Sequence, residues 1–277
     1  MVHLRRSALF LPASNPRAIE KARGLAADVV ILDLEDAVAP AAKPAARSAA
    51  LAAVRAHDWG HRELVVRANG LGTEWAMDDL AALAGSGVAA VLLPKVSSAD
   101  DLARARTALG QGPALWAMIE TARGVIDLPA IAGAGQGLAA LVAGTNDLAR
   151  ELRCRPGPER APLLSALAHI VLASRAAGLT VLDGVCNAIG DMEVLEAECR
   201  QGRDLGFDGK SLIHPAQVDA ANRAFSPDAD EVAWAQKVVA AFDGETAGVI
   251  PLEGRMIERL HLDEALRILA IDATVTR

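Results

Sequence analysis

The chain has 277 residues and a formal net charge of -7; 52% of its residues are hydrophobic, 23% charged and only 3% aromatic. That apolar content excludes disorder, and an acidic balance without a Lys/Arg cluster argues against nucleic acid as a partner. Three cysteines, at 154, 186 and 199, with no CxxC pair indicate neither a disulfide framework nor a zinc site.

Short β-branched or Leu-rich runs alternate with longer Ala-rich stretches at a spacing near the ~30 residues of a βαβ unit. The first run, Ala8 to Leu11, stops at Pro12 and is too short for a secretory signal, so a cytoplasmic protein is expected. Ser14 with Pro16 opens a helix, Val29 to Leu34 is the second run, and Lys43 with Pro44 opens the next helix. Leu64 to Arg67 and Ala89 to Leu93 follow, then a helix start at Ser98 with Asp100 and Asp101, then Leu115 to Ile119. Leu128 to Asn146 is the one long uncharged stretch. Pro129 and the glycines at 133, 135, 137 and 144 bar it from spanning a membrane, and it reads as a loop leading into a buried sixth strand, Ala140 to Ala143. Leu163, Leu164, Leu167, Ile170 and Val171 mark one face of a helix; Thr180 to Leu182 and Phe207 to Leu212 are the last two runs, and Pro215 after His214 starts another helix.

Several runs are apolar at consecutive positions, as expected of parallel strands covered on both faces. Eight strand–helix pairs within residues 1–225 predict an α/β fold of the (β/α)8 TIM-barrel type. An open doubly wound sheet would put a Gly-rich fingerprint after its first strand, and here that strand ends in Leu-Pro-Ala-Ser. From Ser226 the pattern changes to a helical stretch (Pro227 to Phe242), a short strand near Val249 and a final helix from about Met256. Residues 226–277 are therefore expected to form a C-terminal helical extension that caps the barrel or reaches a neighbouring subunit.

In such a barrel, reactive groups gather where the C-terminal ends of the strands converge. Those ends read Asp33-Leu-Glu35-Asp36, Arg67-Ala-Asn69, Pro94-Lys95, Glu120-Thr121, Gly144-Thr145-Asn146-Asp147, Asp183-Gly184, and Lys210 with His214. Glu120 and Asp147, without His or Cys companions, form a hard all-oxygen donor set suited to Mg²⁺, which completes its shell with water and substrate oxygens. Such a cation would chelate an α-keto or α-hydroxy acid, and Arg67 offers a planar fork for its carboxylate. Asp33, Glu35 and Asp36 would orient waters around the cation or orient Arg67. Gly144, Thr145 and Lys95 are rim positions expected to face the substrate, with Arg5, Phe10 and Lys95 as candidates for a longer arm. His214, just before a helix-starting proline, reads mainly as a structural hydrogen-bonder.

Arg6-Ser-Ala-Leu-Phe-Leu-Pro12, Asp33-Leu-Glu-Asp-Ala-Val38, Val66-Arg-Ala-Asn69, Leu93-Pro-Lys-Val96, Ile119-Glu-Thr-Ala-Arg-Gly124, Gly144-Thr-Asn-Asp-Leu148 and Phe207-Asp-Gly-Lys-Ser-Leu-Ile-His-Pro-Ala-Gln217, taken together and in this order, resemble the citrate lyase β-subunit family with its malyl-CoA and citramalyl-CoA lyases. The resemblance implies a Mg²⁺-dependent carbon–carbon lyase that cleaves a β-hydroxyacyl thioester of CoA or acyl carrier protein by a retro-aldol reaction. The products would be an α-keto acid such as oxaloacetate and an acyl thioester. It further implies Glu120 and Asp147 as metal ligands, Arg67 as carboxylate binder, and a homotrimer or hexamer. Where the family pattern carries Gly-x-Met-Ile-Asp, whose Asp enters an adjacent subunit's active site, this chain has Gly254-Arg-Met-Ile-Glu258; Glu258 keeps the charge on a longer stem. Two other readings remain open: a class II pyruvate aldolase acting on free hydroxy-keto acids, and a non-catalytic ligand-binding subunit of a larger complex.

Overall fold

The structure, a computed structural model, describes residues 3–276 except residue 57. The chain divides into two compact units, Arg5–Asn222 and a second that begins at Arg223.

The first unit runs β1 (Ser7–Pro12), α1 (Pro16–Ala22), β2 (Val29–Asp33), α2 (Lys43–Arg55), β3 (Glu63–Arg67), α3 (Ala76–Leu83), β4 (Ala90–Leu93), α4 (Ala99–Leu109), β5 (Ala114–Ile119), α5 (Ala122–Ile126), α6 (Leu128–Ala132), β6 (Leu138–Ala143), α7 (Thr145–Leu152), α8 (Leu164–Ala176), β7 (Thr180–Asp183), α9 (Met192–Leu205) and β8 (Gly209–Leu212). Strands β1 to β8 pair in sequence order, all parallel, and β8 closes on β1. This is a (β/α)8 TIM barrel. Stretch 128–132, expected as loop, is the short helix α6, because Pro129 sits in its first turn, where a missing N–H costs nothing. The eighth strand starts two residues later than the run beginning at Phe207, at Gly209.

Alternate strand residues fill the barrel interior: Ala8, Val29, Ile31, Val65, Ala90, Leu92, Trp116, Met118, Ala140, Val142 and Leu182 form one buried cluster. Helix starts follow local chemistry. Asn15 caps α1 ahead of Pro16, and Ser98 with Asp101 forms a capping box at α4. At the N-terminal end of the barrel, Arg5 bonds Glu63 at 2.6 and 3.0 Å and Thr180 at 2.8 Å, and stacks over Trp116 at 4.9 Å. Arg5 is thus removed from the substrate candidates, since it precedes β1 and lies at the end opposite the C-terminal rim.

Helix α10 (Val218–Ala224) spans the division between the units. The second unit holds α11 (Ala229–Ala241), an antiparallel hairpin of β9 (Val249–Leu252) and β10 (Arg255–Glu258), and α12 (Arg259–Val275). Ala235, Val238, Phe242, Ile257 and Ala265 form its core. The final helix therefore begins after Met256, which lies in β10: the turn at Glu253 and Gly254, both with positive φ, reverses the chain into a second strand. Among the described residues no helix is long and apolar enough to cross a membrane.

Candidate functional site

Asp33 and Arg67 are register partners at the ends of β2 and β3, and both point inward with Ile31 and Val65. Their side chains form a fork: Arg67 Nε donates to Asp33 Oδ1 and Nη2 to Oδ2, each at 2.7 Å, with both residues buried. The Arg67 guanidinium lies over the Phe10 ring at 4.9 Å, and Nη1 comes within 3.8 Å of Met118 Sδ. Phe10 is therefore a platform for Arg67 in the barrel wall. Burial alone would lower the Arg67 pKa, but the hydrogen bonds and charge of Asp33, with the charges of Glu35 and Asp36, outweigh it and raise it. Asp33 also accepts the N–H groups of Glu35 and Ala37 at 2.8 and 3.0 Å, curling the acidic loop back over the strand end.

Glu35, 7% exposed, places Oε2 2.9 Å from Arg67 Nη1 but off its N–H direction, so this oxygen accepts no hydrogen bond; Oε1 pairs with Lys95 Nζ. Desolvation raises the Glu35 pKa, against the pull of Arg67 and Lys95. Asp36 is exposed, its carboxylate 3.9 Å from both Arg67 Nη1 and Lys95 Nζ.

Lys95 follows β4 in the left-handed region (φ 56°), and its backbone N–H donates to Glu120 Oε1 at 2.7 Å. Its ammonium also lies 3.5 Å from Asp147 Oδ2. Glu120, directly after β5, is 3% exposed, and desolvation, followed by the nearby charge of Glu35, pushes its pKa up to about 7. Gly144 makes this burial possible. A Cβ there would lie 2.5 Å from Glu120 Oε2 and closer still to its Cβ. Asp147, expected at a strand end, sits in the first turn of α7, behind its N-cap Gly144, with Thr145 buried beside Gly184. Glu35, Asp36, Glu120 and Asp147 thus face one rim with Arg67 and Lys95.

Two groups read from the strand ends are not at the rim. Asp183 and Lys210 are fully buried and bond each other at 2.9 Å; Arg160 Nη1 donates to Asp183 at 2.8 and 2.9 Å, and Glu198 of α9 lies 3.0 Å from Lys210. A Cβ on Gly202 of α9 would meet Asp183 at 2.9 Å, so this cluster faces the helix layer. The reason is parity: Leu182 faces inward, so Asp183 faces out, and Lys210 is its register partner. Charges of opposite sign hold the Asp183 pKa down and the Lys210 pKa up against burial. His214 caps the short helical turn at Pro215, its Nδ1 accepting from Ala216 N at 3.2 Å. Glu258 is exposed in the second unit, where its N–H donates to His261 at the start of α12.

One residue that sequence reasoning took only as a helix start is Lys43. The residue is 5% exposed, and its ammonium donates to Leu34 O, Glu35 O and Asn69 Oδ1 at 2.8, 2.9 and 2.6 Å and lies over the Trp75 ring at 5.0 Å. It locks the backbone of the acidic loop to the end of β3, and no local signal marks it.

Does the rim suit a divalent cation? Among the described residues no group of three or more His, Cys, Asp and Glu is set to hold a metal. The donor chemistry is nevertheless that of Mg²⁺. Two carboxylates, one buried with a raised pKa and tied through Lys95 to the other, leave the remaining positions to water and substrate oxygens.

Residues 6–215 match the HpcH/HpaI aldolase/citrate lyase family. The chain is 49% identical to a (3S)-malyl-CoA thioesterase of Cereibacter sphaeroides, over 97% of this chain and 94% of that protein. It is 34% identical to the citrate lyase subunit beta of Escherichia coli, over 96% and 92% of the two chains. Among solved structures, it is similar to the protein CitE of Mycobacterium tuberculosis in complex with magnesium, acetoacetate and coenzyme A, with a TM-score of 0.80 and 36% identity over 95% of this chain and 96% of that one. A citrate lyase beta subunit from the same organism, complexed with oxaloacetate and magnesium, gives a TM-score of 0.71 at 37% identity, over 81% and 98%.

Proposed function

Because the chain belongs to the HpcH/HpaI aldolase/citrate lyase family, we propose that it acts with Mg²⁺ on a β-hydroxyacyl-CoA whose acyl group ends in a carboxylate, malyl-CoA in the first instance, and cleaves its carbon–carbon bond. The observation that carries this reading is the meeting of Glu120, Asp147, Glu35 and Arg67 around Lys95 at one barrel mouth. Glu120 and Asp147 would hold the Mg²⁺, which when bound supplies Lewis-acid neutralisation of the acid's oxygens. Arg67 presents Nη1, the edge that Asp33 leaves free, to the substrate carboxylate, while the fork to Asp33 keeps the guanidinium in place. Glu35 Oε2, which accepts no hydrogen bond, takes the proton from the substrate hydroxyl, and desolvation, which raises its pKa above the ordinary carboxylate value, makes it a stronger base for that step. The bond between the hydroxyl carbon and its neighbour then breaks. Its electron pair passes to the acyl thioester as an enolate, which takes up a proton at carbon while Glu35 gives up the one it accepted, so that malyl-CoA yields acetyl-CoA and glyoxylate with no net proton change. Gly144 and Thr145 line the same rim, and Lys95 and Asp36 complete its charge. Glu258 is retained as a catalytic candidate supplied from the extension of a homotrimer or hexamer, a state that light scattering would test.

Hydrolysis is the second reading, favoured by the identity to the malyl-CoA thioesterase. The same residues would then hold the malyl group while water attacks the thioester carbonyl, giving malate and CoA. Product analysis after incubation with Mg²⁺ and malyl-, citramalyl- and citryl-CoA separates the two. Glu120→Ala is expected to abolish Mg²⁺ and oxaloacetate binding in calorimetry; a titration identical to that of the wild type would refute the assignment of the site.

A further inference from the structure

Lys95 touches both carboxylates assigned to the cation, one through its backbone and the other through its side chain. The N–H fixed by its left-handed conformation holds Glu120 Oε1 at 2.7 Å, while Nζ pairs with Glu35 Oε1 and lies 3.5 Å from Asp147 Oδ2 and 3.9 Å from Asp36 Oδ1. The other cation of the rim is fixed: Arg67 is gripped by two hydrogen bonds to Asp33, its side chain 9% exposed. The Lys95 side chain is 38% exposed and carries a compact charge on a flexible four-carbon stem, so it can swing its ammonium into solvent without moving the N–H that holds Glu120. A doubly charged cation and an ammonium drawing on the same carboxylate oxygens repel each other strongly at such distances.

Resting on the divalent-cation reading above, we propose that the Lys95 ammonium is a tethered competitor of the metal: it draws on the Asp147 carboxylate that the metal would use and, held beside the site by Glu35, opposes the metal's charge, so that Lys95 sets the Mg²⁺ concentration at which the site fills. Without a bound metal the ammonium offsets the mutual repulsion of four clustered acids, which would otherwise be borne by the fold. When the metal enters, the free energy of the ion pairs it displaces is subtracted from its binding free energy, as in any equilibrium where a ligand must first break an internal contact. Among the described residues Arg150 of α7 also faces Asp147, at 3.1 Å, but its side chain is 76% exposed and solvent screens it. Lys95 is therefore a positioning and affinity-setting residue, one that acts on the metal site through its carboxylates.

The test is calorimetric titration of Mg²⁺ into the full chain, repeated with Mn²⁺ and electron paramagnetic resonance counting of free ion. Lys95→Gln and Lys95→Met, which remove the charge and leave the backbone N–H, are expected to bind the ion on the order of tenfold more tightly than the wild type. Lys95→Arg should stay within about threefold, and Arg150→Gln should not differ from the wild type. Equal or weaker binding in both neutral variants, against saturable binding in the wild type, overturns the competition while leaving the metal reading intact. Tightening in Lys95→Arg equal to that in Lys95→Gln would overturn it as well. If neither wild type nor neutral variants bind either ion saturably, the divalent-cation reading fails and Lys95 has nothing to compete with.

Discussion

Glu120 carries its charge at a cost, because burial and the neighbouring charge of Glu35 favour its protonated form up to a pKa of about 7, against an ordinary value of 4.5. In the metal-free protein the folded chain therefore holds a proton that the unfolded chain has released between these two values. The protein binds more protons folded than unfolded across that window, so stability falls as pH rises from about 4.5 to about 7 and levels off above. Urea unfolding should show this as a loss on the order of 2 kcal/mol between pH 5 and 7. Glu120→Gln should flatten most of that slope, leaving a shallower one of the same sign from Glu35, whose pKa is also raised by desolvation. Identical slopes in wild type and variant would place the pH dependence elsewhere. At this scale the sequence made the residue types legible, and named Asp33, Glu35 and Asp36 together as candidates to orient Arg67, but not which of the three grips it. Arg67 could be picked as a carboxylate binder from its strand end, yet that Asp33 occupies two of its three donor nitrogens depends on register.

Strand parity decides which charges reach the rim. Asp33, Arg67 and Glu120 continue the inward alternation of Ile31, Val65 and Met118, whereas Asp183 and Lys210 fall on the outward set and end in a buried ion cluster with Arg160 and Glu198. Counting alternation from the fully buried strand cores would have separated the two groups, but those cores are apolar on both faces, which hides the period. The turn from β6 into α7 depends on a missing side chain. Gly144→Ala would drive a Cβ into Glu120. It should cost roughly 1–3 kcal/mol of stability, as overpacking does, and weaken Mg²⁺ binding at the same time. A chemical melt together with a metal titration checks both; a loss of stability with undiminished metal affinity would mean that Glu120 is not held by this contact. Lys43 acts at the same scale, its ammonium joining the loop after β2 to Asn69 after β3.

At the scale of the molecule, the barrel exists only if β8 closes on β1, and Gly209 stands at that seam. A Cβ there would collide with the Arg5 carbonyl oxygen and lie 2.8 Å from the carbonyl carbons of Arg5 and Arg6. Backbone cannot yield as a flexible side chain can, so Gly209→Ala is expected to cost about 3 kcal/mol or more, read as a lower urea midpoint at an unchanged slope. A variant as stable as the wild type would mean that the seam relaxes freely. The second unit has its own small core around Phe242 and Ile257 and carries Glu258 at the N-cap of α12.

The order of strands and helices, the closed α/β architecture and the acids, arginine and lysine at the strand ends were all determined by the sequence. Apolar runs, prolines and helix caps act locally, and strands that repeat with helical crossovers have few ways to pack. Which charges meet was decided by the tertiary structure alone. Side-chain parity, the register of β2 against β3, and glycines that let Glu120 and the β1–β8 seam approach closely are relations between distant segments, and electrostatic pairing acts through space rather than along the chain.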